Sequence, residues 1–395
     1  MEFARILNLN ENVVYSILKR LNREDYDINM KILVAVVDYP NLKGEKSLYF
    51  VHVRNLVYQK SDIEVTVLNF SSECEYLIDG ISVITKDDFI KNRKNIKYDA
   101  LVSHAPNLRN HFKFLVKYGV DFERKFFFFH GHEILKVSRY WPTPFYFQSP
   151  KKRFIYHVRL PYDVLKLFVW RRYFKKNISD IYFVFVSEWL MKQFEENVKV
   201  GAEVMDGRSI VIHNGVGKIF EEREYITDKE RLYDFICIRG GAVDNSIYCI
   251  DMVLKIAEVN PGKKFLICGK GKIFDYMKVP QNVQVLDEIL EHDEIMMLLN
   301  DSKCALLPTR MDTQGVMACE VATFGIPLIT SNIPICQEIF RGFGNVKMID
   351  NDNYKVDLSI LLDELTKGVP YEKNEKYFKV NTSCKEMALL TKQIK

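Results

Sequence analysis

No apolar stretch in this chain approaches the roughly 18–20 residues that a membrane-spanning helix needs. The most conspicuous run, Phe126–Phe129, is four residues long. The opening Met1-Glu2-Phe3-Ala4-Arg5 has no long apolar segment behind it, so no secretory signal is expected. None of the eight cysteines forms a C-x-x-C pair, and several sit inside apolar runs such as Phe235-Ile236-Cys237-Ile238. That usage predicts buried thiols in a reducing cytoplasm, without a disulfide framework or a zinc site. No Walker element occurs, and no G-x-G-x-x-G follows the first apolar run, where Gly44 stands alone. Helicase and nicotinamide dehydrogenase readings therefore lack their signatures. A net charge of +4 is too small to point to nucleic acid.

What is present is ordinary globular material: 395 residues, 48% apolar and 27% charged, enough for two domains at roughly 100–200 residues each. Short runs rich in β-branched and aromatic residues recur, separated by helical stretches. They include Lys31–Tyr39, Ile63–Phe70, Ile81–Thr85, Tyr98–Ala105, Lys125–Gly131 and Ile181–Ser187. The pattern restarts with Asp234–Arg239, Phe265–Gly269, Val283–Leu286, Cys304–Arg310, Ile326–Ser331 and Val346–Asp350. Repetition of this kind predicts βαβ units and parallel sheets, hence an α/β protein of two doubly wound halves. The divisions expected are an amino-terminal appendage over 1–29, a first domain over 30–205 and a second over 206–374.

The charge is uneven. Residues 151–176 hold nine basic residues against the single acid Asp163, so this window carries +8 and the rest of the chain −4. Aromatics such as Phe154, Tyr156, Phe168 and Trp170 are interleaved with the bases, a composition that suits an anionic membrane surface as well as a solvated helical cover.

In an open parallel sheet, ligands bind beyond the carboxyl ends of the strands. There the first half offers Tyr39, Gly44, His104, Asn107, His130 and His132. The second offers Arg239, Gly269, Lys270, Lys272 and the stretch Asp312-Thr313-Gln314-Gly315. Basic residues and glycines at strand ends point to phosphate. Thr313-Gln314-Gly315 leads into an apolar helix, whose free amides and positive end suit an anion. Asp312 and Glu320 lie eight apart, about two turns on a continuous helix, a spacing that also fits a helix cap plus one buried polar contact. His104, His130 and His132 would need a further donor to hold zinc. Lys270 and Lys272 read equally well as solvated loop charges, and Trp141–Phe147 reads as a packed loop ahead of an aromatic platform for sugars.

With its flanks, Pro308–Ser331 (PTRMDTQGVMACEVATFGIPLITS) resembles the Glu-x7-Glu region of family 4 retaining glycosyltransferases of the bacterial surface-polysaccharide type. The resemblance extends to His130-Gly131, Phe185–Glu188, Val211–Val216, Arg239 and the Gly269-x-Gly271 turn, spanning about residues 30–390. It implies a GT-B architecture, with two Rossmann-like domains facing a central cleft. The first would be the acceptor side, joined by a carboxyl-terminal helix over 375–395, and the second would bind the donor.

The implied roles follow residue by residue. Glu320 would hold the ribose hydroxyls of a nucleotide sugar, and Asp312 would sit beside the donor sugar. The amides of Gly315, Val316 and Met317 would lie near the diphosphate. Arg239 would neutralise the leaving group, and His130 would contact the sugar. No metal and no cofactor beyond the donor are implied; a UDP-sugar leads, ahead of GDP- or dTDP-sugars. The acceptor would be a glycan or a polyprenyl-linked saccharide, in the cytoplasm or on the inner face of the plasma membrane, with no nucleic acid involved.

Three departures stand out. The first acid of the motif is aspartate, and the glycine-rich first loop is reduced to Gly44. The family's lysine a few residues after the arginine is also missing, since none occurs between Arg239 and Lys255. That loss leaves a competing expectation, a catalytically impaired glycosyltransferase-like subunit that binds an active partner. A sugar-nucleotide epimerase on the same fold is disfavoured by the Asp312–Glu320 motif.

Overall fold

The computed structural model describes residues 30–44, 47–61, 63–366 and 373–391. The expected appendage over 1–29 lies outside them. The described residues form two compact units, one holding Met30–Leu135, Leu165–Gly215 and Phe378–Thr391, the other Lys136–Val164 and Val216–Tyr377. The second therefore takes up a piece of chain between the fifth and sixth apolar runs of the first half.

The first unit is built on an eight-stranded sheet. Its strands are β1 (Met30–Val36), β2 (Ile63–Asn69), β3 (Tyr76–Ile78), β4 (Ile81–Ile84), β5 (Ala100–His104), β6 (Arg124–Phe129), β7 (Ile181–Phe185) and β8 (Ser209–Val211). They run in the order β3-β4-β2-β1-β5-β6-β7-β8, parallel throughout except at β3–β4. β6 explains its run of four phenylalanines, because a parallel strand is covered on both faces. Phe126 and Phe128 join the core cluster that includes Met387 and Leu390 of helix Lys379–Thr391. Phe127 and Phe129, pointing the other way, pack against Phe174 at 5.1 and 6.0 Å between ring centroids.

That carboxyl-terminal helix is held by an ion pair as well as by apolar contact. Arg54, on helix Tyr49–Gln59, donates from Nε to Glu386 Oε1 at 2.7 Å, and the Tyr58 hydroxyl donates to Glu386 Oε2 at 2.7 Å. Arg54 and Glu386 are both buried.

The second unit carries six parallel strands, β9 (Tyr233–Gly240), β10 (Phe265–Gly269), β11 (Val283–Leu286), β12 (Ser302–Leu306), β13 (Leu328–Ser331) and β14 (Val346–Ile349). Their order is β11-β10-β9-β12-β13-β14. Both sheets are doubly wound. The direction of strand succession reverses between β1 and β5 in the first and between β9 and β12 in the second, and such a reversal opens a crevice at the strand ends.

Candidate functional site

In the second unit the reversal brings together the ends of β9 and β12. Arg239, the penultimate residue of β9, donates from Nη2 to the Pro308 carbonyl at 2.7 Å. Its guanidinium stands 4.9 Å from the centroid of the Tyr248 ring, and its Nε has no hydrogen-bond partner among the described residues. The chain after β12 turns through Asp312, whose Oδ1 accepts the amides of Thr313 (2.7 Å) and Gln314 (3.2 Å). Gly315 then takes φ +69 and caps helix Val316–Phe324. A Cβ at Gly315 would stand 2.9 Å from Asp312 Oδ2, so the turn requires glycine for space as well as for backbone conformation. Loss of water around Asp312 raises its carboxyl above the ordinary range, against the pull of these amides and of Arg239. The result is a guanidinium, a carboxylate and the amino-terminal amides of a nine-residue helix at one sheet switch point.

The loop after β10 closes over the loop after β9. Lys270 N–H donates to the Gly240 carbonyl at 2.8 Å, and the amides of Lys272 and Ile273 both donate to Asp244 Oδ1 at 2.8 Å. A Cβ on Gly269 would lie 2.5 Å from the Gly240 carbonyl oxygen, and one on Gly271 would lie 2.4 Å from a Val243 methyl. The Lys270 and Lys272 side chains are exposed; it is their backbone that the structure uses. Glu320 is buried on the helix and accepts the Gly217 amide on Oε1 at 3.0 Å.

In the first unit, His130 follows β6 and His104 ends β5. Their rings meet at 3.2 Å, His104 Nδ1 to His130 Nε2. Burial, with the nearby Arg54 cation adding to it, pushes His130 down to about 3. His104 falls well below the ordinary value for the same first reason and through His130 and Arg54. Both are therefore neutral near pH 7. The Glu133 carboxylate fixes this turn by accepting the amides of His130 (3.2 Å) and Gly131 (2.6 Å).

No protein-family model matches the chain. An 86-residue stretch is 30% identical to glycogen synthase of Mycobacterium tuberculosis (strain ATCC 25618 / H37Rv), covering 20% of this chain and 20% of that protein. Among solved structures, sucrose-phosphate synthase from Thermosynechococcus elongatus matches with a TM-score of 0.58 at 10% identity, over 91% of this chain and 94% of its own. WaaG, a glycosyltransferase involved in lipopolysaccharide biosynthesis, matches at 0.58 and 11% identity, over 92% and 100%. An α,α-trehalose-phosphate synthase (UDP-forming) from Burkholderia vietnamiensis matches at 0.55 and 11%, over 93% and 94%. All three are GT-B glycosyltransferases. The chain has the GT-B fold.

Within this GT-B framework, the residues singled out from sequence separate. The structure brings Arg239, Asp312, Gly315, Val316 and Met317 to one place in the second unit. Tyr39 is corrected from an acceptor-side residue to a core one: it is fully buried, and its hydroxyl is shared between His52 Nδ1 and Asn55 Nδ2, each at 2.9 Å. Asn107 caps the turn Leu108–Phe112 by accepting the Asn110 amide at 2.8 Å. Gly44, at φ +84, closes a surface turn on Asn41. The His132 side chain is exposed. No group of three metal-binding side chains is placed to hold an ion among the described residues.

Two features escaped the sequence reading. Tyr248, the face on which Arg239 rests, lies between Arg239 and Lys255, the stretch that holds no lysine. Arg310 grips Asp251 with two parallel bonds of 2.9 and 2.7 Å and also donates to the Ser246 carbonyl at 2.6 Å, tying the end of β12 to the segment that carries Tyr248. Within Trp141–Phe147, Phe147 stacks on Tyr276 at 4.7 Å, while Tyr146 is 61% exposed.

Proposed function

We propose that this chain is a retaining glycosyltransferase that moves a sugar from a nucleotide donor, a UDP-sugar, to a glycan or lipid-linked saccharide. The observation that carries the reading is Arg239 beside the amino end of helix Val316–Phe324, at the sheet's switch point. A departing nucleoside diphosphate gathers negative charge, and a fixed guanidinium with oriented amides stabilises that charge without reorganising. The C1–O bond to phosphate breaks, a bond from C1 to the acceptor oxygen forms on the same face, and the leaving phosphate takes the acceptor's proton. No protein nucleophile is required. Asp312 holds the amides in line and faces the sugar, while Glu320 takes the ribose hydroxyls. The neutral His130 offers a hydrogen bond to sugar hydroxyls. Uridine is favoured by analogy with the UDP-forming trehalose-phosphate synthase and with a trehalose-6-phosphate protein bound with UDP-2-fluoro glucose.

Thermal stabilisation by UDP, GDP, dTDP and CMP tests this. At about 100 times its dissociation constant a nucleotide stabilises by roughly 2.7 kcal/mol. UDP is expected to shift the wild type and to lose most of that shift in Glu320→Gln, which keeps an acceptor for the Gly217 amide. Release of UDP from UDP-sugars should persist in EDTA. A protein that responds to none of the four nucleotides is not a sugar-nucleotide enzyme.

A further inference from the structure

Helix Arg159–Lys176 has one covered side and one uncovered side. Asp163, Lys166, Leu167, Trp170, Tyr173 and Phe174 are buried at three- and four-residue spacing, as expected of a helix lying on a core. The opposite side begins apolar and ends basic. Leu160, Val164, Leu165 and Phe168 are exposed by 53, 55, 55 and 60%, and one turn further on Arg171, Arg172, Lys175 and Lys176 are all exposed. The preceding helix, Pro150–His157, buries no side chain and presents Phe154 at 66% beside Lys151, Lys152 and Arg153. Of the 24 exposed large apolar side chains among the described residues, eight fall between Phe154 and Phe168.

An apolar stripe of this size left in water marks a contact surface, and what surrounds it selects the partner. The window's only acid, Asp163, is turned inward, where it accepts the Ser138 amide at 3.0 Å and lies 3.7 Å from Arg159. The outward charges of residues 151–176 are therefore all cationic. An anionic bilayer has the complementary order, with phosphates at the headgroup level and hydrocarbon immediately below. No helix among the described residues is long and apolar enough to cross a membrane. We propose that Arg159–Lys176 lies along the surface of an anionic bilayer, with Leu160, Val164, Leu165 and Phe168 entering the headgroup–acyl boundary and the carboxyl-terminal bases engaging lipid phosphates. The inference does not depend on sugar transfer.

The test is flotation of the full chain with vesicles of phosphatidylcholine alone or with 30% phosphatidylglycerol, at low and high salt. Each basic residue near an anionic surface contributes about a fivefold gain in binding. Binding is expected only with phosphatidylglycerol and is expected to fall with salt. Arg171→Glu with Arg172→Glu, and separately Leu160→Ser with Phe168→Ser, should each lower it at least tenfold at an unchanged melting temperature. Absence of binding, or equal binding by the variants, overturns the proposal. So does a concentration-dependent dimer that the serine variant abolishes while vesicles are ignored, which would assign the face to a second copy. Vesicle binding without any nucleotide response would leave this inference intact and remove sugar transfer instead.

Discussion

Tyr248 lies in the stretch where the motif that this sequence resembles would carry a lysine, and it presents a π face to Arg239. Its ring orients Arg239 from one side while the Pro308 carbonyl holds it from the other. A cation on a partly desolvated aromatic face is worth about 0.5–2 kcal/mol. Tyr248→Leu should therefore lower turnover a few-fold, and Tyr248→Phe should change it little. Tyr248→Lys, restoring a second cation, should tighten UDP severalfold by titration calorimetry; weaker binding would show that the ring, as such, is needed. That Arg239 and Asp312 lie at neighbouring strand ends is legible in sequence, because each follows an apolar run with its own pattern. Tyr248 was not, because the departure left a gap with no pattern to read. Tyr39 was misread for a different reason: position after a strand does not reveal that His52 and Asn55 satisfy its hydroxyl inside the core.

Elements with strong periodicity were legible to the residue. β10 and β11 have the expected bounds. β3 and β8 were missed because three residues at a sheet edge, one of them the 63% exposed Leu77, carry no alternation to detect. Loops that touch backbone to backbone are just as hidden in sequence and just as intolerant. Gly269→Ala would press a methyl into the Gly240 carbonyl at φ +150, so a loss of about 1–3 kcal/mol in urea unfolding is expected. The Arg54–Glu386 pair makes a second prediction at this scale. Glu386→Leu strands a buried guanidinium and should cost about 3–5 kcal/mol, whereas Arg54→Met combined with Glu386→Leu should recover much of it.

Across the whole molecule, histidines shielded from water contribute to the response to acid. His111, donating from Nε2 to the Ala35 carbonyl at 3.1 Å, is pushed down to about 4 by burial, as His130 is to about 3. In the unfolded chain these groups protonate near 6.5, so between there and pH 4 the unfolded state binds more protons. Stability is then fully present above about pH 6.5 and is lost as pH falls, by up to about 1.4 kcal/mol per pH unit for each histidine. Urea midpoints measured from pH 7 to 4 check this, and His111→Gln should flatten the slope by about one proton. A midpoint constant down to pH 5 would refute it.

Helix Lys379–Thr391 brings Met387 and Leu390 to a core whose first strand begins at Met30. On a ribosome the strands β1 to β8 are all made long before the side chains that complete one of their faces. Until residue 390 clears the exit tunnel, the Arg54 guanidinium has no counter-charge, and the Phe126 and Phe128 side of the sheet stays incompletely covered. The first unit thus cannot finish folding as it emerges, although most of it is made before the second. Its nascent form should be a client of chaperones for almost the whole time of synthesis, and nonstop or prematurely terminated chains should be recognised by proteases through that same open face.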